Sequence, residues 1–156
     1  MLTDDMIDAA IAVARHSPNR VRKVGAFLLP RDGSAPVAAC NTWPSGVQET
    51  EERHQGDGRL VWMEHAERNA IYAAARAGIS TDGASLASTL FPCLDCARAI
   101  VQAGIRHLHT LPPDLSDPVW GASFVPSRVI LQEGGVSLHF SGRDPARVQA
   151  GTMLAP

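Results

Sequence analysis

The 156-residue chain has no run of eighteen apolar residues, so nothing in it reads as a membrane span. The opening Met1-Leu2-Thr3-Asp4-Asp5-Met6 has neither a basic nor an apolar stretch. That speaks against a secretory signal, and the expected location is the cytoplasm. Positive charge is not in excess either: 14 Lys+Arg stand against 16 Asp+Glu, for a formal net charge of −2. Proteins that grip a long nucleic-acid backbone usually carry a clear basic surplus, so a small-molecule partner is expected. Cysteine is scarce and odd in number (Cys40, Cys93 and Cys96), which argues against a disulfide framework. Internal repeats and low-complexity segments are lacking too.

What is present suits one globular domain over residues 1–156, with a core of about 5–140 and a tail of 141–156. Hydrophobic residues make up 45% of the chain, and its length allows roughly 70% of the unfolded surface to be buried. Residues 3–16 read as a helix capped by Thr3, with Asp4 and Asp5 at its positive end. Strands are predicted over 24–29 and 36–41, then a long polar loop over 42–59, a length that in compact domains often serves function. Residues 64–77 form the strongest predicted helix, with a small-residue stripe of Ala66, Ala70, Ala73 and Ala77 and a stop at Gly78. A strand over 85–90, a helix over 94–103 and a strand over 105–111 follow. Next come a helix over 120–133 that should break near Pro126 and a last strand over 136–140. This alternation predicts an α/β sandwich with helices on both faces of its sheet. No periodicity is visible in 141–156.

Two short motifs carry chemistry. His65-Ala66-Glu67 opens one predicted helix and Pro92-Cys93-Leu94-Asp95-Cys96 opens another. Helix N-termini present unpaired N–H groups and partial positive charge, which suit thiolates. Cys93 and Cys96, three apart, direct both sulfurs to one side of a helical turn. One imidazole and two thiolates form a donor set suited to Zn²⁺. A structural zinc site takes four protein ligands, whereas three leave a position for water, the layout of catalytic zinc. Glu67 lies too close in sequence to His65 for a comfortable fourth ligand and is well placed to shuttle protons. The blander readings are a thioredoxin-type redox pair or two buried structural cysteines, and neither calls for the histidine and the carboxylate. The H-x-E…P-C-x-x-C pattern as a whole is the signature of zinc deaminases.

The segments His65 to Ile71, Leu90 to Ala97 and Gln102 to Ile105 resemble the cytidine and deoxycytidylate deaminase superfamily, its deoxycytidylate (dCMP) branch most of all. Val24-Gly25-Ala26 and Asn41, Pro44 and Gly46 also fall where that branch has characteristic residues. The resemblance spans about residues 5–140. It implies a three-layer α/β/α sandwich with a five-stranded mixed sheet, the cytidine deaminase-like fold, and a homo-oligomer, dimeric or larger. It implies that His65, Cys93 and Cys96 bind Zn²⁺ and that Glu67 is the proton shuttle. It further implies that Asn41 hydrogen-bonds the sugar or ring, that the Ala66 backbone meets the pyrimidine edge, and that Phe91 lines the side where the amine leaves. The implied reaction is hydrolytic deamination of a cytosine-type ring in a free nucleotide, dCMP to dUMP with release of ammonia. Cys40 and Thr42 around Asn41, Lys23 before the first strand and Glu64 before His65 depart from the branch pattern. These departures keep a nucleoside, a free base or another amino-heterocycle open as the substrate. A tRNA or single-stranded DNA base and a non-catalytic zinc module are the further alternatives; the weak charge argues against the first and Glu67 against the second.

Other residues have alternative readings. Trp43 is a candidate to stack on a base, and a surface or interface aromatic is the other reading. Trp120 and Phe124 read as core or subunit-interface residues. Arg20, Arg22 and Lys23 place three cations within four residues; one of them is a candidate for a 5′-phosphate, against a solvated basic turn. His54, His107, His109 and His139 have no partner at ligand spacing, and Glu49, Glu51, Glu52 and Arg53 read as a solvated loop face.

Overall fold

The computed structural model describes residues 2–156, and within them the elements alternate as the hydrophobic pattern requires. Helix α1 (Thr3–Ala14) leads to the strands β1 (Gly25–Leu29) and β2 (Val37–Cys40). Two short helices, α2 (Glu51–His54) and α3 (Gly58–Trp62), precede the long α4 (Ala66–Ala77). Then come β3 (Ser85–Ser88), α5 (Leu94–Gln102), β4 (His107–Thr110), α6 (Gly121–Glu133), β5 (Ser137–Phe140) and α7 (Pro145–Thr152). The sheet has five strands in the order β2-β1-β3-β4-β5. Strand β1 is antiparallel to both β2 and β3, whereas β3, β4 and β5 are parallel and joined through α5 and α6.

Alternation along each strand separates the layers. Ala26, Leu28, Leu86 and Leu108 face one way and pack with Ala66, Ala70, Ile100, Phe124 and Leu131 from α4, α5 and α6. Ala87 and Phe27 face the other way and meet Met6, Ile7 and Ala10 of α1. The result is the expected α/β/α sandwich.

Topology also decides where chemistry can gather. Because β1 runs against β2 and β3, its first residue pairs with Cys40 at the end of β2, and Ala26 pairs with Ser88 at the end of β3. The segments 22–24, 41–42 and 89–93 therefore emerge at one edge of the sheet, the carboxyl edge of the parallel strands, where α/β folds open their ligand crevice.

Four local expectations change. The helix cap at the chain's start falls on Leu2, and Thr3 instead places its Oγ1 3.0 Å from His109 Nδ1. Helix α4 buries Ala66, Glu67, Ala70 and Ala74 rather than Ala73 and Ala77, its buried face being turned toward the Glu67 side of the alanine stripe. Helix α6 continues through Pro126; Phe124 and Ser127 on either side are buried, and the Ser127 hydroxyl donates to the Pro92 carbonyl at 2.7 Å. That tertiary anchoring outweighs the missing N–H. The tail forms α7, with Asp144 accepting from the Ala146 N–H, and it packs back on α1 through Val148, Thr152 and a 3.0 Å bond from Arg15 Nε to the Gly151 carbonyl. None of the helices is long and apolar enough to cross a membrane among the described residues.

Two predictions concern this scaffold. A Cβ on Gly25 would lie 1.9 Å from the Ala10 carbonyl oxygen and 2.9 Å from the Ala14 nitrogen, so α1 can cross β1 this closely only over a glycine. Gly25→Ala should cost at least about 1–3 kcal/mol in urea unfolding, and an unchanged midpoint would refute the close crossing. His109, on the α1 side of β4, is buried and stacked on His139 with ring centroids 4.5 Å apart, while His107 Nδ1 lies 3.1 Å from His139 Nε2. Burial, with His139 and His107 alongside, holds His109 down to about 4. Its contribution to stability is thus present above about pH 6.5, the ordinary histidine value, and is lost as pH falls from there toward 4. His109→Gln should flatten this part of the stability–pH curve, whose slope from one proton is at most about 1.4 kcal/mol per pH unit.

Candidate active site

The two motifs meet at the sheet edge. His65 is the extended N-cap residue of α4 and Cys93 that of α5, one turn before Cys96. Cys93 Sγ lies 3.4 Å and Cys96 Sγ 3.6 Å from His65 Nδ1, and the three donor atoms lie within 4.8 Å of one another. A tetrahedral zinc with nitrogen at about 2.05 Å and sulfur at about 2.3 Å would hold such atoms about 3.6 Å apart. The spacing and the donor chemistry therefore both fit Zn²⁺, the cofactor of this domain.

The electrostatics agree. The hydrogen bond shared with Cys96 holds the Cys93 thiol down to about 3 in spite of burial, with further help from the His65 imidazole. That same bond, together with burial, pushes the Cys96 thiol upward. Two touching sulfurs ionise together only against a cation. Arg68 supplies part of that charge: its Nη1 lies 3.2 Å from Cys96 Sγ, and its Nε donates at 2.7 Å to Glu64 Oε1, which also accepts the His65 N–H. Burial lowers the Arg68 pKa, and the Cys96 and Glu64 charges more than restore it. Glu67 is 3% exposed, with Oε2 3.6 Å from Cys96 Sγ, and burial pushes its carboxyl pKa upward. A buried carboxyl whose hold on a proton is strengthened, beside a metal group, is suited to taking and giving protons.

A pocket opens over this centre, walled by Asn19, Arg22, Val24, Asn41, Arg59, Leu60, Met63, Ala66, Leu90, Phe91, Trp120 and Phe124, with His65, Glu67 and Cys93 in its lining. Of the residues singled out in the sequence, Asn41, Ala66, Phe91 and Arg22 line it. Asn41 accepts the Val24 N–H through Oδ1 at 2.8 Å and donates through Nδ2 to the Arg22 carbonyl at 3.0 Å, leaving one amide hydrogen and one lone pair. Trp43 is not in the lining: it is buried edge-on against His54 at 5.2 Å. Lys23 turns away and donates to the Arg15 carbonyl at the end of α1, and Arg20 makes a bidentate pair with Glu51 in solvent. The supposed basic cluster is therefore dispersed, because each cation meets a nearer partner.

Arg59, Met63, Trp120 and Arg68 were missed as site residues. The loop carrying the first two is not featureless: Thr42 and Glu64 tie its ends in an antiparallel bridge, and Arg53 lies 3.9 Å over the Trp62 ring. Trp120 stands edge-on to His65, with centroids 5.2 Å apart. A signal for Arg68 was available, since Glu64 and Arg68 are four apart within the helix predicted over 64–77, a spacing that favours pairing. Nothing in the sequence marks Arg59 or Trp120.

The sheet and the His/Cys/Cys centre at adjoining helix starts define an α/β domain of the cytidine deaminase fold. The chain belongs to the family described as the cytidine and deoxycytidylate deaminase zinc-binding region, whose model matches residues 2–111. It is 51% identical over 57 residues to the deoxycytidylate deaminase of Enterobacteria phage T2, a stretch covering 36% of this chain and 30% of that protein. It is 33% identical over 108 residues to a probable deoxycytidylate deaminase of Drosophila melanogaster, covering 69% of this chain and 51% of that protein. The matched stretches thus span about half or less of these relatives' own length. The structure superposes on apo dCMP deaminase from the cyanophage S-TIM5 with a TM-score of 0.68 at 25% identity, covering 89% of this chain and 96% of that one.

The purified protein should hold about one zinc per chain, and Cys96→Ser should lose most of it by elemental analysis while far-UV circular dichroism is kept. Full metal content in that variant would overturn the ligand set.

Proposed function

We propose that the protein is a zinc-dependent hydrolytic deaminase of a cytosine-type ring in a free nucleotide, converting dCMP to dUMP and ammonia. The observation that carries this reading is the buried carboxyl of Glu67 beside a three-donor metal group inside a pocket. Held by His65, Cys93 and Cys96, zinc would supply activation of a water nucleophile near neutral pH. Glu67 takes one proton from that water and delivers it to the adjoining ring nitrogen, then takes the remaining proton of the hydroxyl now on the carbon and passes it to the departing amine. Water's oxygen replaces nitrogen on the carbon, and ammonia leaves. The apolar walls Leu90, Phe91 and Phe124 hold the ring and exclude bulk water, and the spare amide hydrogen of Asn41 is available to the sugar or ring.

Arg59 supports a nucleotide over a nucleoside. It lines the pocket and makes no hydrogen bond or ion pair with any of the described residues, whereas Arg22 is already paired with Asp117 at 2.7 Å. An uncompensated guanidinium in a pocket wall suits a 5′-phosphate. The named dCMP deaminases among the relatives agree with this substrate.

Ammonia release from dCMP and from deoxycytidine tests both parts. Glu67→Gln should keep zinc and lose at least about 10²–10⁴-fold in kcat, and near-normal turnover would remove Glu67 from the chemistry. Arg59→Ala should lower kcat/KM for dCMP roughly ten- to a hundred-fold and leave deoxycytidine unchanged. Equal kcat/KM for the two substrates in the wild type would refute phosphate selection.

A further inference from the structure

Arg22 enters the pocket with its charge already used. Its Nη1 donates to Asp117 Oδ2 at 2.7 Å, and the Asp117 side chain is 6% exposed, that of Arg22 30%. The other oxygen of the same carboxylate, Oδ1, accepts the backbone N–H groups of Val119 and Trp120, both at 2.9 Å, and the Asp117 carbonyl accepts the Gly121 N–H at 2.9 Å. Asp117 thereby fixes the turn that starts α6 and aims the Trp120 indole edge-on at His65. At its other end, Arg22 is fixed by its own backbone: the N–H donates to Asn19 Oδ1 and the carbonyl accepts from Asn41 Nδ2. The sequence Asn41–Arg22–Asp117–Trp120 is one connected path of charge-assisted and backbone hydrogen bonds. It links the start of β1 to the start of α6, and three of its four residues line the pocket.

We propose that Arg22 and Asp117 act as a strut that positions Trp120 as the pocket wall beside the metal-ligating His65, so that the pair governs how the substrate's ring is held and does not read its phosphate. Arg22 and Asp117 are positioning residues, and Trp120 is the residue through which they act. Paired with Asp117, the Arg22 guanidinium is already neutralised, which leaves the phosphate to the unpaired Arg59. The indole's broad apolar body is part of the pocket lining beside His65, where a planar ring needs a fixed surface to lie against. Removing Asp117 takes away the acceptor that holds the turn, and removing Arg22 leaves that buried carboxylate without the ion pair that fixes it, so both losses loosen the same turn.

The kinetic part rests on the reading of this pocket as a dCMP site, and the test therefore has an arm independent of activity. In the zinc-loaded full chain labelled with 5-fluorotryptophan, ¹⁹F NMR gives one resonance each for Trp43, Trp62 and Trp120, the last assigned by Trp120→Phe. Arg22→Ala and Asp117→Ala should each shift and broaden the Trp120 resonance and leave Trp43 in place. An unchanged Trp120 resonance in both variants overturns the strut whatever the substrate is. In the kinetic arm, Arg22→Ala, Asp117→Ala and the double variant should lower kcat/KM for dCMP and deoxycytidine by the same factor, about ten-fold or more. The double variant should be no worse than the worse single, the non-additivity of residues acting as a unit. Arg22→Lys should recover part of the loss. Asp117→Asn, which keeps an oxygen for the Val119 and Trp120 N–H groups, should fall between wild type and Asp117→Ala and covers the case that the alanine variant does not fold. Loss confined to dCMP in Arg22→Ala, with a gain for dCMP in Asp117→Ala, would make Arg22 a phosphate ligand and overturn the proposal. If the zinc-loaded wild type turns over neither substrate while the Trp120 resonance still moves in the variants, the strut stands and the dCMP reading fails.

Discussion

Two cysteine sulfurs pressed against an imidazole and a buried carboxyl form a cluster that a chain can hold together only if something else fixes each piece. Here the fixing is done by backbone. Cys93 and His65 are N-cap residues of two helices on the same face of one sheet, and the partial positive charge of both helix ends falls on the donors. Glu64, just before α4, and Arg68, on its first turn, add a hydrogen bond to the His65 N–H and a guanidinium against Cys96. Backbone and this pair together direct all three donors at one point, the arrangement a bound metal requires.

The same logic extends outward. The antiparallel placement of β1 between β2 and β3 delivers Arg22 to Val24, Asn41 and Leu90 to Cys93 to one edge of the sheet. That placement demands that α1 cross β1 within atomic contact of Gly25, and the small Ala10 and Ala14 on α1 meet the demand. Asn41 then ties two of these segments together through both ends of its amide. A side chain expected to contact substrate is thus also part of the frame, and frame and site share the same hydrogen bonds.

Strand and helix positions were legible because period-two and period-3.6 patterns report burial directly, and the metal group was legible because its donor types and spacing have few other uses. Pairing choices on the surface were not. Lys23, Arg20 and Arg22 look alike in sequence, yet one caps the end of α1, one pairs with Glu51 in solvent, and one pairs with Asp117, nearly a hundred residues away. The 42–63 loop hid its contribution for a similar reason: its order comes from Trp43 against His54, Arg53 over Trp62 and the Thr42–Glu64 bridge, none of which has a periodic signature. The tail helix α7 is short and weakly amphipathic, and it is defined more by docking on α1 than by its own pattern.

The central claim is that water's oxygen replaces the ring amine at a centre built from His65, Cys93, Cys96 and Glu67. The most direct measurement is mass spectrometry of the product formed from dCMP by the zinc-loaded protein in ¹⁸O-enriched water. The account predicts dUMP carrying one ¹⁸O on the carbon that held the amine, with one ammonia released for each label, and neither in Glu67→Gln beyond a small residue. Product without label, or no dUMP from the zinc-loaded protein, would contradict it.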